Sequence, residues 1–186
     1  METKSSSFFN KPGAWWRSRS PVVRFSLAFL GIMLLFYLFY SLPFFENSIV
    51  PAFIHLQANL SSGILNLLGY ETTVNELSIT GDQYSVSVAK GCDGVESMAL
   101  LAGAILVFPL PFRLKWPGLL AGVGILFCLN LLRIAGLYLA GIHWPSAFEL
   151  LHTHGGFVLF TTFSVLLVIT WISWAIKKTQ PADEAS

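Results

Sequence analysis

Residues 25–45 read FSLAFLGIMLLFYLFYSLPFF. No charge interrupts this run, and crossing the hydrocarbon core of a bilayer takes about 20 apolar residues in a helix. Arg17, Arg19 and Arg24 precede it closely, with Lys4 and Lys11 further back. A basic flank before an apolar run also describes a secretory signal peptide. Here the run is long and no small-x-small cleavage site follows, so it reads as an uncleaved first span over about residues 24–43. The basic flank places the N-terminus in the cytoplasm.

The composition agrees with a membrane protein. Of 186 residues, 54% are hydrophobic and only 11% are charged, which excludes an ordinary soluble domain. A net charge of +1 gives no footing for a nucleic-acid partner. Two cysteines are too few for a disulfide framework. The expected organisation is a basic cytoplasmic segment (residues 1–23), one integral membrane domain (24–176) and a cytoplasmic tail (177–186).

Outward from the first span, residues 49–69 place Phe53, Leu56, Leu60, Ile64, Leu67 and Leu68 near helical spacing, with His55, Gln57, Asn59, Ser62 and Asn66 between them. The pattern predicts an amphipathic helix at the outer interface, ending at Gly69; a tilted span packed on other spans is the alternative. TTVNELSI and YSVSVAK flank the turn residues TGDQ, which predicts a short extracytoplasmic β-hairpin. A second span runs from about Val95 to Phe108, where PLPF stops it. Arg113 and Lys115 mark a cytoplasmic loop. A third span covers roughly Pro117–Ile142. HWPSAFELLHTHGG forms an outer loop and the head of a fourth helix, closed on the cytoplasmic side by Lys177 and Lys178. The fold class is therefore an all-α polytopic membrane protein of about four transmembrane helices, with an outer amphipathic helix and a short hairpin. Both termini are inside.

This topology gathers chemistry that chain order scatters. Cys92 opens the second span from its outer end. Arg133 lies about eight residues below the outer end of the third span, roughly 12 Å by helical rise, and can snorkel outward. His152 and His154 lie near the outer end of the fourth helix. A helix N-terminus supplies partial positive charge, and a neighbouring cation favours thiolate, the attacking form of a cysteine. Cys92 reads as a nucleophile or as a small buried hydrophobe. A disulfide to Cys128 would need a re-entrant Cys92, because Cys128 sits five residues deeper than Arg133. Asp93 and Glu96 have the spacing of a capping box, with Asp93 as N-cap and Glu96 at N3, or take a direct chemical role, and Gly94 permits a turn or the close approach of a substrate backbone. Arg133, costly inside a span, is either half of an ion pair with Glu96 or Glu149, or a fixed cation facing a developing oxyanion. Asn130 shares its helix face and either orients it or caps a kink. Glu149 lies three residues before His152 and could orient it as a base, or form half of a metal site. His152 and His154 point about 200° apart on a helix, so only one faces a shared cavity well. His55 and His143 read as interfacial.

GCDGVESMALLAGAILVFP, then NLLRIAGLYLAG, then HTHGGFVLF resembles the exosortase/archaeosortase family of membrane transpeptidases, in a short form similar to exosortase H. Cys92–Gly94 matches the family's Cys-x-Gly and Asn130–Arg133 its Asn-x-x-Arg. His152, four residues before Gly156, five before Phe157 and eight before Phe160, matches its histidine; His154 does not. Phe157 stands where many members carry Trp. The resemblance covers about residues 50–165. It implies a cysteine peptidase or transpeptidase of the bacterial inner membrane, with its site on the extracytoplasmic face. The substrates are secreted proteins that end in a motif, a transmembrane helix and a basic cluster. Cys92 is the nucleophile that forms a thioester, Arg133 stabilises the oxyanion and His152 is the general acid/base. Gly94, Asn130, Glu96 and Glu149 support them. No metal or other cofactor is implied, and the acceptor is unspecified. Three other readings of the same residues are a non-catalytic envelope assembly factor, a metal site built from Cys92, Glu149, His152 and His154, and a transporter with Arg133 as its anion site.

Overall fold

The computed structural model describes residues 18–179; Lys4, Lys11, Arg17 and the tail from residue 180 lie outside the described residues. Among the described residues six α-helices and three strands follow in order. Pro21–Tyr40 is α1, Val50–Leu67 is α2, Thr72–Asn75 is β1, Ser78–Gly81 is β2, Ser85–Ser87 is β3, Val95–Val107 is α3 and Phe112–His143 is α4. Pro145–Leu150 is α5, and Gly156–Thr179 is α6. Two π-helical turns join helices, Phe45–Ile49 before α2 and Leu151–Gly155 between α5 and α6. The fold is a mostly helical polytopic membrane protein with a small sheet, as expected.

Among the described residues three helical stretches are long and apolar enough to cross a membrane: Pro21–Tyr40, Phe112–His143 and Pro145–Thr179. The predicted second span is a shorter helix of 13 residues, about 20 Å long. It packs against α1, α4 and α6. Both of its ends meet complementary side chains. The Asp93 carboxylate accepts the Val95 N–H at 3.2 Å, and Lys115 Nζ donates to Leu106 O at 2.5 Å. Each charge suits its end of the helix dipole. Arg113 and Lys115, expected in a loop, lie in the first turns of α4 instead, because PLPF already completes the reversal after α3.

Helix α2 departs from the expected orientation of its polar face. Leu56, Leu60 and Leu67 are exposed, and so are His55 and Asn59. Gln57, Ser61 and Ser62 point into the protein with Ile54, Ala58 and Leu65. Each buried polar group is bonded: Ser61 Oγ donates to Leu131 O at 3.2 Å, and Ser62 pairs with Thr72 Oγ1 at 2.8 Å. Buried polar groups need such partners, so this face is stitched to α4 and β1 rather than turned to water. Gly69, at φ +90°, ends the turn after α2 while Tyr70 N–H returns to Leu65 O.

The predicted hairpin is present as β2–β3, with a second hairpin before it. TTVNELSI itself reverses at Glu76, which adopts φ +54°, so β1 pairs with β2 and β2 with β3, all antiparallel. Val74 pairs with Ile79 and Ile79 with Val86, which lines apolar side chains along one face. That face joins Ile54, Leu65, Ile134 and Tyr138 in one core cluster; Met98, Leu101, Ile105, Leu126, Phe160 and Trp171 form another. On α4, Asn130 and Arg133 fall between Leu126 of the second cluster and Tyr138 of the first.

Close helix contact in the second cluster depends on glycine. A Cβ at Gly118 would meet the Trp171 ring, 2.8 Å from its Cγ, and that ring is pinned by its N–H to Leu114 O at 2.8 Å. Gly118→Ala is expected to cost about 1–3 kcal/mol by overpacking. In a detergent melt of the full chain the midpoint then falls by roughly 3–10 °C. Gly124→Ala, with nothing within 4 Å of its Cβ, leaves the melt unchanged or raises it slightly.

Candidate active site

The chain segment that carries Cys92 is a short turn between β3 and α3. Gly91 and Gly94 adopt φ +89° and +70°, and Cys92 N–H closes the turn on Ala89 O at 3.0 Å. Left-handed backbone at these two points is where glycine is needed. Gly94 also packs on α4: a Cβ there would lie 3.3 Å from Asn130 Cγ. The turn-forming reading of Gly94 is met, and the neighbour that its missing Cβ leaves room for is the protein's own Asn130.

Asp93 is fully buried, but the N-cap position of α3 falls to Gly94, so the expected capping box is not made. The Asp93 carboxylate accepts from Val95 N–H from one position further back, and Glu96 is exposed, lines the cavity wall and has no bond back to Asp93. Instead the second Asp93 oxygen accepts the Tyr40 hydroxyl at 3.0 Å.

Arg133 reaches the same turn from α4. Its Nη2 lies 4.0 Å from Cys92 Sγ and 3.2 Å from His152 O, and its Nη1 lies 3.4 Å from Cys92 O. Its guanidinium also sits 5.9 Å from the centre of the Phe160 ring. The expected alternative of an ion pair with Glu96 or Glu149 is not formed among the described residues. Glu149 accepts the Thr153 hydroxyl at 3.2 Å, four residues on, so it neither pairs with Arg133 nor orients His152. Asn130 makes no bond to Arg133 itself. Its Nδ2 donates to Cys92 O at 3.1 Å, so Asn130 and Arg133 share one acceptor.

Helix α6 leaves room for this cation at a single glycine. A Cβ on Gly156 would lie within 2.5 Å of Arg133 Cζ and closer still to Nη2. Just before it, the π-helical turn Leu151–Gly155 carries both histidines. His152 is half-buried, stacks on Phe148 with ring centres 5.7 Å apart, and lines the cavity. His154 is exposed and does not line it. His143 instead bonds the Tyr70 hydroxyl at 2.8 Å, and His55 bonds Asn59.

Cys92, Arg133 and His152 thus share one cavity of about 270 Å³, walled also by Gly94, Gly156 and Phe160. Cys92 and Cys128 are both free, and Cys128 is exposed elsewhere on α4. Among the described residues no group of three or more His, Cys, Asp or Glu converges as metal ligands, and Glu149 and His154 turn away from Cys92. Four buried side-chain atoms lack a hydrogen-bond partner among the described residues: Asn130 Oδ1, Arg133 Nε, His152 Nδ1 and Ser164 Oγ. Three of the four belong to this one cluster, and a buried polar atom left unpaired costs about 1–3 kcal/mol. The cluster therefore holds polar capacity that the fold itself does not use.

Two residues of this neighbourhood escaped the sequence reading. Tyr40, at the end of the first span, lies in an apolar run that gives it no signal of its own. Gln57 looked like part of a wet helix face. The usable signal was the spacing of Gln57, Ser61 and Ser62, which shares a face with Ile54, Ala58 and Leu65.

The family model of transmembrane exosortases matches residues 14–169. No curated protein and no solved structure matches the chain.

Proposed function

The chain belongs to the transmembrane exosortase family, and on that footing we propose that it is a membrane cysteine peptidase or transpeptidase of C-terminal sorting tails. Its site faces the extracytoplasmic side of the bacterial inner membrane. The observation that carries the reading is Arg133, whose Nη2 stands 4.0 Å from Cys92 Sγ while bonding the main chain of His152. A thiol, a cation and an imidazole meet in one small cavity, and among the described residues none of them bonds a carboxylate.

The reaction follows from those three groups. The Cys92 thiolate attacks the carbonyl carbon of the scissile peptide and forms a C–S bond, while the carbonyl oxygen takes the negative charge. Arg133, with its Nε–H unpaired, donates to that oxygen. Collapse breaks the C–N bond, and protonated His152 gives its proton to the leaving amine. A thioester remains on Cys92. His152, now neutral, takes a proton from an incoming amine, hydroxyl or water, which attacks the thioester and frees the thiolate. Gly94 and Asn130 shape the turn that carries the thiol, and Glu96 stands at the cavity wall.

The test is a processing assay. The chain is co-expressed with a secreted protein from the same genome that ends in motif, span and basic cluster, and loss of the tail is followed by mass. His152→Ala is expected to slow removal by about 100-fold or more, as loss of a general acid/base does. His154→Ala, which leaves the cavity wall intact, is expected to process at the wild-type rate. Equal activity of both variants would remove His152 from the mechanism.

A further inference from the structure

The Cys92 turn is held from behind by a chain of buried hydrogen bonds that starts on helices far from it in sequence. Gln57, on α2, donates through Nε2 to Asp93 O at 2.9 Å. Its Oε1 accepts from Asn130 Nδ2 at 3.1 Å, and the same Nδ2 donates to Cys92 O at 3.1 Å. Tyr40, on α1, grips the Asp93 carboxylate at 3.0 Å, whose other oxygen accepts from Val95 N–H at the start of α3. Gln57, Asp93 and Asn130 are all 0% exposed. The amide orientations are dictated by chemistry: Cys92 O and Asp93 O only accept, so both amide nitrogens must face them.

Two successive carbonyls, those of Cys92 and Asp93, are therefore fixed by one glutamine and one asparagine. An apolar residue of equal size at position 57 would fill the same space, so packing alone does not call for an amide there. We infer that Gln57 is a positioning residue for Cys92, acting through Asn130 and Asp93, with Tyr40 as its counterpart on α1. The chain holds the thiol beside Arg133 by fixing the backbone on which the thiol is carried. The inference rests on the reading of Cys92 as the nucleophile.

The full chain in detergent, with Cys128→Ser so that Cys92 is the remaining thiol, supports two readouts. One is the rate at which iodoacetamide alkylates Cys92 at pH 7; the other is kcat and KM for tail removal. Gln57→Met keeps the volume and removes both bonds. It leaves Asp93 O unpaired, so the melting midpoint is expected to fall by roughly 3–10 °C with the chain still folded. Its KM stays unchanged, its kcat falls about 10- to 100-fold, and alkylation slows several-fold as the thiol leaves the cation. Tyr40→Phe moves both readouts in the same direction by less. Ser61→Ala, which breaks the α2 bond to Leu131 O without touching the Cys92 turn, leaves both unchanged. Should Gln57→Met fail to fold, Tyr40→Phe decides. Wild-type alkylation and kcat in both variants would overturn the inference, as would an equal loss in Ser61→Ala. The alkylation readout needs no substrate. If wild type removes no tail yet Gln57→Met slows alkylation, the positioning role holds and the proposed substrate is wrong.

Discussion

Cys92→Ala is expected to abolish tail removal, at least about 1,000-fold below wild type, while the chain melts as wild type does. The two halves of that expectation come from different atoms of the same residue. Apart from the Arg133 contact to Sγ, the ties of residue 92 within the fold run through its backbone: its N–H to Ala89 O, and its carbonyl to Asn130 and Arg133. Alanine keeps every one of them. What it loses is Sγ, whose neighbour is the Arg133 guanidinium at 4.0 Å. Cys92→Ser should fail nearly as badly, because a hydroxyl beside the same cation remains a far weaker nucleophile than a thiolate. Electrophoretic mobility of the substrate and a melt of the variant check both halves. A Cys92→Ala chain that unfolds would contradict the structural half; one that still processes would contradict the chemical half.

The second large effect comes from a residue with no chemistry of its own. Gly156→Ala is expected to lower kcat about 100-fold with little loss of stability. Its Cβ would occupy the place of the Arg133 guanidinium, which ends a flexible chain and can swing aside. Swinging aside removes the cation from Cys92 Sγ and from His152 O together. The neighbouring change, Gly155→Ala, is the control: its Cβ would meet Leu151 at 3.7 Å, an ordinary contact, and activity should persist. Steady-state rates and melts of the two variants separate displacement of one side chain from general damage to the helix. If Gly155→Ala loses as much as Gly156→Ala, the effect belongs to the π-helical turn and not to Arg133.

Much of this architecture was legible in the chain because the bilayer imposes long uninterrupted apolar runs. Residues 25–45 and the runs behind α4 and α6 carry that signature. The ends of the spans permit Cys92, Arg133 and His152 to meet, and the preference for His152 over His154 comes from the resemblance, whose histidine stands at the same distance from Gly156. Polarity alone does not report the side a residue faces: Gln57 and Ser62, expected on a wet face, mark hydrogen bonds inside the bundle, to the Cys92 turn and to β1. Glu149 was matched to His152 at three residues, but a π-helical turn follows it and the carboxylate reaches Thr153 instead. The reversal at Glu76, which splits TTVNELSI into two strands, depends on a positive φ at a residue that rarely adopts one. No pattern of hydrophobicity reports such a turn.

The central claim is that Cys92 carries the acyl group between cleavage and transfer. The most direct measurement is the intact mass of the full chain, isolated under mildly acidic conditions from cells that also express a tailed substrate. The proposed mechanism predicts an adduct equal to the substrate upstream of the cut, located on the peptide that contains Cys92. Neutral hydroxylamine removes it, as it does a thioester, and the Cys92→Ala chain lacks it. An adduct that survives hydroxylamine, or that persists on Cys92→Ala while the tail is still removed, would contradict it.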